Sequence, residues 1–279
     1  MRIFIAGGKG QVGTALQAEL LDHEVTAVDL PEVDITNKES LFTAVSDANP
    51  EIIINSAAYT NVDGCAKDPE LAYRVNGLGA QNLALAALEH DIPLVHISTN
   101  EVFPGQNPNG YDEWDQTEAV NPYGRSKLAG EFLTRSILNK LYIVRFSWLF
   151  APGGHNFIHA ILKRAKETGQ IRVVTDEVAN PTYVKDLAQN IVKMMQTGQY
   201  GTYHLGNSGR CSRWEFANEI VRLAGLENIT NTPISGREFK RASVPPPYCA
   251  LNNNVGKAIG IVQRPWQEAL AEYIEEFTE

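Results

Sequence analysis

Short, β-branched apolar runs alternate along the chain with longer stretches whose apolar residues recur every three or four positions. Arg2–Ala6, Glu24–Asp29, Ile52–Asn55, Leu94–Ser98 and Tyr142–Leu149 read as strands. Most lack polar alternation, the pattern of parallel strands covered on both faces. Between them, Val12–Leu21, Lys38–Ala48 and Glu70–His90 are amphipathic and long enough to be crossover helices. Strand and helix repeated in this order predict an α/β fold with a doubly wound parallel sheet.

The rhythm changes after Phe150. Helices are expected over Phe157–Thr168 and Val184–Met195, and strands at Ile171–Thr175 and Gly201–Leu205. Ser212 and Glu215 have capping-box spacing and open a helix to about Leu223. Three consecutive prolines bar Ser243–Tyr248 from a central strand or helix, and Trp266–Phe277 closes the chain as a helix. The expected division is a first domain over 1–150, with segments of about 171–206 returning to it. A smaller C-terminal lobe of 151–170 and 207–279 would face the substrate.

Charge narrows the partners. Lys plus Arg number 24 against 33 Asp plus Glu, a net −9 that argues against nucleic acid or an anionic membrane surface. No apolar run approaches a membrane span, and Met1-Arg2-Ile3-Phe4 has no signal-peptide layout, so a cytoplasmic protein is expected. Cys65, Cys211 and Cys249 are far apart and odd in number, as suits reduced thiols. His155 and His159, four apart, lack a carboxylate or cysteine cluster, and no metal is expected.

Candidate chemistry starts at Gly7-Gly8-Lys9-Gly10-Gln11-Val12-Gly13, between the first strand and the first helix. Glycines there allow a tight turn and bring backbone amides close to a pyrophosphate at a helix N-terminus. Asp29 ends the second strand, where a carboxylate would accept bonds from an adenosine ribose. Together these predict a Rossmann-type dinucleotide site. Asp29 would repel a 2′-phosphate and Leu30-Pro31 offers no arginine, so NADH is the easier ligand, with Lys9 the one nearby cation favouring NADPH.

Tyr123 and Lys127 stand four apart in Asn121-Pro-Tyr-Gly-Arg-Ser-Lys, with Asn121 as cap and Pro122 in the first helical position. Both side chains would share one face. A neighbouring ammonium and a helix N-terminus should favour the phenolate over the phenol, whose free pKa is about 10. Ser98-Thr99 lies at the carboxyl end of a strand, where a doubly wound sheet puts ligand-facing residues.

This order of motifs resembles the extended short-chain dehydrogenase/reductase superfamily. Ala57-Ala-Tyr-Thr-Asn-Val-Asp63, Tyr123-Gly-Arg-Ser-Lys-Leu-Ala-Gly-Glu131, Arg145-Phe-Ser-Trp-Leu149 and Pro181-Thr-Tyr-Val184 are similar to the dTDP-4-dehydrorhamnose reductase family. The resemblance implies an NADH- or NADPH-dependent reductase of a nucleotide-linked 4-keto-6-deoxysugar. It implies Tyr123 as proton donor, Lys127 on the nicotinamide ribose and lowering the tyrosine pKa, and Thr99 on the carbonyl oxygen. It also implies Gly10, Gln11, Val12, Asp29, Asp34, Ile35, Ala58, Tyr59 and Thr60 along the cofactor, and Trp148 at the sugar. Asn100 and Glu101 fall in the substrate-facing stretch. A homodimer is left open, as are a related nucleotide-sugar reductase or epimerase and a non-catalytic dinucleotide-binding regulatory subunit.

Three stretches depart from that family. Asn100-Glu101 replaces Asp-Tyr, placing a carboxylate that would repel an anionic substrate or pair with an arginine. The family's C-terminal arginine slot falls on Val244 or Pro245, leaving Arg210, Arg213, Arg237, Lys240 and Arg241 as substitutes. Ala66 replaces a glutamate linked in some relatives to metal-bridged dimers.

Overall fold

The computed structural model describes residues 1–153 and 156–278, with side chains to 276. His155, one half of the histidine pair, lies outside the described residues. Six parallel strands form the central sheet in the order Gly201–His204, Leu141–Arg145, Leu94–Ile97, Ile52–Asn55, Arg2–Ala6, Glu24–Val28. The chain runs outward from the first strand to the second, then crosses back to the third. The resulting switch point opens a crevice beyond the carboxyl ends of Arg2–Ala6 and Ile52–Asn55.

Side-chain alternation in the first strand explains the layers. Ile3 and Ile5 enter one apolar cluster with Val12 and Leu16, whereas Phe4 and Ala6 enter another with Leu41, Leu83 and Leu94. Glu24–Val28 covers the sheet's edge and is largely exposed, so its apolar content is lower. The first cluster also takes Phe216, Trp266 and Tyr273, welding the C-terminal half onto one face of the sheet.

Within 171–206, the helix Val184–Met195 packs on the glycine-loop helix Gln11–Glu19, and Gly201–His204 joins the sheet at its edge. Gln170–Val174 does not return to that sheet; it pairs with Thr230–Ile234 instead. The expected strand Tyr142–Leu149 is also corrected. It ends at Arg145, and Leu149–Phe150 pairs separately with Thr182–Tyr183. Trp148 between them takes φ +44°, a left-handed turn that a bulky side chain adopts only at a cost. The expected Glu70–His90 helix holds a π-helical turn, Arg74–Gly79, between Pro69–Tyr73 and Ala80–Glu89.

Among the described residues no helix is long and apolar enough to cross a membrane. All three cysteines are free and buried.

Candidate active site

The glycine loop turns where a side chain would not fit. Gly7 has φ +83°, and a Cβ on it would lie 2.5 Å from the Ala57 amide nitrogen. A Cβ on Gly13 would meet the Gly7 carbonyl oxygen at 2.2 Å. These two glycines build the turn from beneath and let Gln11 open its helix at the mouth of the crevice, with Gly10 as cap. Asp29 accepts the amides of Lys9 (2.9 Å) and Leu30 (2.8 Å), pinning the loop to the second strand. Lys9 Nζ bonds Glu32 at 2.8 Å.

A cavity of about 500 Å³ follows from that mouth. Gly10, Gln11 and Val12 line one end, and Ala58 and Thr60 the side. Thr99, Asn100, Glu101, Tyr123, Lys127 and Trp148 line the other. Sequence positions from 10 to 148 thus meet around one space. Six expected cofactor residues stay off its wall: Gly7 and Gly13, which build the turn from beneath, and Asp29, Asp34, Ile35 and Tyr59. Asp34 is exposed and spends its carboxylate on the Thr36 amide, 2.8 Å away. Ile35 is buried in the second apolar cluster, against Gly79. Tyr59 lays its phenol against Gly64.

Asn121 caps the Pro122–Ile137 helix through the Gly124 amide (2.8 Å), and this helix carries Tyr123 and Lys127. Lys127 Nζ donates to the Ile97 carbonyl at 2.6 Å, and burial depresses its pKa to about 8 despite the opposing charge of Glu131. Tyr123 corrects an expectation. Its phenol is pushed well above the ordinary tyrosine range, by burial first and the Glu101 charge next, with a hydrogen bond to Thr99 opposing. Desolvation and the Glu101 charge outweigh the Thr99 hydrogen bond, so the phenol is held protonated.

Glu101 lies on the short 3₁₀ turn Asn100–Val102, and its amide donates to Thr99 Oγ1 at 3.2 Å. Its carboxyl pKa is raised by burial, while the charges of Arg213 and Arg241 oppose the shift and that of Glu177 adds to it. These residues meet at a second cavity of about 330 Å³ that shares Asn100, Glu101, Trp148 and Arg213 with the first. Arg213 lies 3.7 Å over the Trp148 ring and approaches Glu177 at 4.0 Å. Arg241 bonds Glu177 directly. Of the other basic residues considered as substitutes, Arg210 bonds Pro108 O and lines a different cavity, and Arg237 and Lys240 are exposed.

Sequence reasoning missed two supports. Asn76, in the π-helical turn, bonds Tyr59 through both backbone groups (2.8 and 3.0 Å) and Ser126 Oγ (2.9 Å), tying the cofactor side to the Tyr123 helix. Glu131 receives Arg145 at 2.6 and 2.8 Å and Ser98 Oγ at 2.5 Å, all buried. Glu131 repeats the four-residue spacing after Lys127, which was the available signal. Glu177 had none, because only the antiparallel pairing of Val178–Ala179 with Cys211–Ser212 brings it to Arg213.

Comparison with known proteins gives a consistent picture. A family model described as the RmlD substrate binding domain matches residues 1–279. The spore coat polysaccharide biosynthesis protein SpsK of Bacillus subtilis (strain 168) is 36% identical over 277 residues, 99% of this chain and 97% of that protein. A dTDP-4-dehydrorhamnose reductase of Aggregatibacter actinomycetemcomitans is 36% identical, covering 96% of this chain and 97% of its own. The crystal structure of dTDP-4-dehydrorhamnose reductase from Bacillus anthracis str. Ames in complex with NADP superposes with a TM-score of 0.95 at 40% identity, over 99% of each chain.

Proposed function

The chain belongs to the family of the RmlD substrate binding domain, and from that premise we propose that it is an NAD(P)H-dependent reductase of dTDP-4-dehydrorhamnose. The observation that carries this reading is the single cavity shared by the first turn of the glycine-loop helix and by Thr99, Tyr123 and Lys127. The side-chain-free turn at Gly7 and Gly13 fits a dinucleotide, since backbone amides and a helix N-terminus there supply field without side-chain charge. When bound, the reduced nicotinamide supplies the hydride for the sugar carbonyl carbon. Either NADH or NADPH is accommodated in this reading; Lys9 would have to leave Glu32 to meet a 2′-phosphate.

The chain's own residues handle the oxygen. Thr99 Oγ1 donates to the carbonyl and polarises it. Tyr123 keeps its proton at neutral pH, the state a general acid needs, and releases it to the oxygen as that atom becomes the more basic alkoxide. Lys127 spends one proton on Ile97 O and has two left for the nicotinamide ribose. Trp148 and its stacked Arg213 wall the sugar, and Arg213 with Arg241 offers guanidinium to the substrate diphosphate in place of the absent arginine. The C-terminal lobe supplies Arg213 and Arg241 to this substrate side. Three buried free thiols suit a reducing compartment, and the proposal places the protein in the cytoplasm.

The test is loss of nicotinamide absorbance with dTDP-4-dehydrorhamnose and either cofactor. Turnover of that sugar is expected. Tight cofactor binding without turnover of any nucleotide 4-keto sugar would refute the reading.

A further inference from the structure

Glu101 stands where its backbone braces one catalytic residue and its carboxyl meets the helix of another. Its amide holds Thr99 Oγ1 at 3.2 Å. Its carbonyl oxygen lies where a side chain on Gly124 would come, 2.1 Å from that glycine's absent Cβ, so the start of the Tyr123 helix rests directly on it. The backbone that carries the carboxyl is therefore fixed in place before any ligand arrives, and little ordering is lost when one binds.

The two carboxyl oxygens are not equivalent. Asn121 Oδ1 accepts the Gly124 amide at 2.8 Å, which turns its Nδ2 toward Glu101 Oε2 at 2.5 Å and makes that oxygen an acceptor. Oε1 has no hydrogen-bond partner among the described residues, and the residue lines both cavities. Arg213, Arg241 and Glu177 line the second cavity with the carboxyl, and Tyr123, Cys65 and Cys249 also lie within its field. If ionised, Oε1 accepts; if protonated, the proton sits on Oε1 and it donates. A ligand hydroxyl satisfies either state, and a methylene satisfies neither.

We propose that Glu101 determines substrate specificity by bonding, through Oε1, the hydroxyl on the sugar carbon next to the carbonyl that Thr99 polarises. The proposal rests on the reductase reading for the position of that carbonyl. In a 4-keto-6-deoxysugar one neighbour of the carbonyl carbon bears a hydroxyl, C3, and the other bears the methyl group. Glu101 therefore reads the C3 hydroxyl. A 3-deoxy substrate leaves Oε1 unpaired in a desolvated site, which costs the binding of that sugar the desolvation of a polar group that gains no partner.

The experiment compares kcat/KM for the 4-keto-6-deoxy nucleotide sugar and its 3-deoxy analogue in the wild type, Glu101→Gln and Glu101→Ala. The wild type is expected to favour the hydroxylated sugar by about 10- to 100-fold. Glu101→Ala should bring that ratio to within about threefold, mainly by raising KM for the hydroxylated sugar, and Glu101→Gln, whose amide still bonds a hydroxyl, should fall between. A residue that only braces Asn121 and Thr99 would slow both sugars alike, so an unchanged ratio in Glu101→Ala overturns the proposal. Calorimetric affinities for the two reduced products give the same ratio without turnover. Equal affinities in the wild type overturn the role of Glu101, whereas failure of the wild type to reduce any 4-keto sugar overturns only the reductase reading.

Discussion

Removing the Glu131 carboxylate should cost the protein more stability than any surface substitution, and the size of the loss follows from its surroundings. Glu131 and Arg145 are each 3% exposed and joined by two hydrogen bonds of 2.6 and 2.8 Å, with Ser98 Oγ adding a third at 2.5 Å. Arg145 already leaves Nη1 without a hydrogen-bond partner among the described residues, though its guanidinium lies 5.0 Å over the Phe103 ring. In Glu131→Ala the guanidinium stays buried with its counter-charge gone. Breaking such a pair from one side costs about 3–5 kcal/mol. An exposed pair such as Lys140–Asp91 would give about 0–1 kcal/mol. Urea unfolding of the wild type and variant measures the difference. A double variant, Glu131→Leu with Arg145→Met, removes both charges and should recover most of the loss, because neither ion then needs solvation. A single-variant loss under about 1 kcal/mol would refute the reasoning, as would a double variant less stable than the single one. The pair also bolts the Tyr123–Lys127 helix to the ends of the fourth and fifth strands, so kcat/KM should fall with stability in Glu131→Ala.

Four further outcomes are expected. Gly13→Ala would press a methyl group against the Gly7 carbonyl, 2.2 Å away, and should weaken cofactor binding by about 10-fold or more in a fluorescence titration; unchanged affinity would show that the loop yields freely. Tyr123→Phe should lower reductive kcat by about 10²–10⁴-fold with cofactor affinity kept within about twofold, and a fully active variant would remove the phenol from proton transfer. Because burial brings the Lys127 pKa to about 8, its ammonium is present below that pH and lost above it, so reductive kcat/KM should fall as pH rises through about 8. Lys127→Arg keeps its charge and should abolish that limb, and a wild-type profile flat from about pH 6 to about pH 10 would contradict the assignment. Lys9→Ala breaks an exposed ion pair with Glu32 and an exposed 3.2 Å bond to the Leu30 carbonyl, and it should leave NADH affinity unchanged while weakening NADPH about 10-fold; equal effects on both would exclude Lys9 from the 2′-phosphate.

Local rules carried much of this molecule into its sequence. Continuous apolar runs marked strands covered on both faces, and Arg2–Ala6 and Ile52–Asn55 form where they were read. The capping box at Ser212 and Glu215 is formed by both of its bonds, since its partners are three residues apart. Glycine spacing located the loop because the need for an absent Cβ at Gly7 and Gly13 is itself local. The four-residue step from Tyr123 to Lys127 put both on one helical face before any neighbour was known.

What only the tertiary structure decided depends on contacts between distant segments and on burial. The strand expected through Leu149 does not run on because Trp148 turns left-handed at φ +44° and Leu149 finds a separate partner in Thr182. Glu101, Glu177, Arg213 and Arg241 form one charged cluster although 140 positions separate its ends, a meeting that no periodicity encodes. The proton on Tyr123 was decided the same way. Sequence supplied the lysine and the helix end that would favour phenolate, but desolvation, which exists only once the chain has closed around the phenol, is the largest effect on it and favours the protonated form.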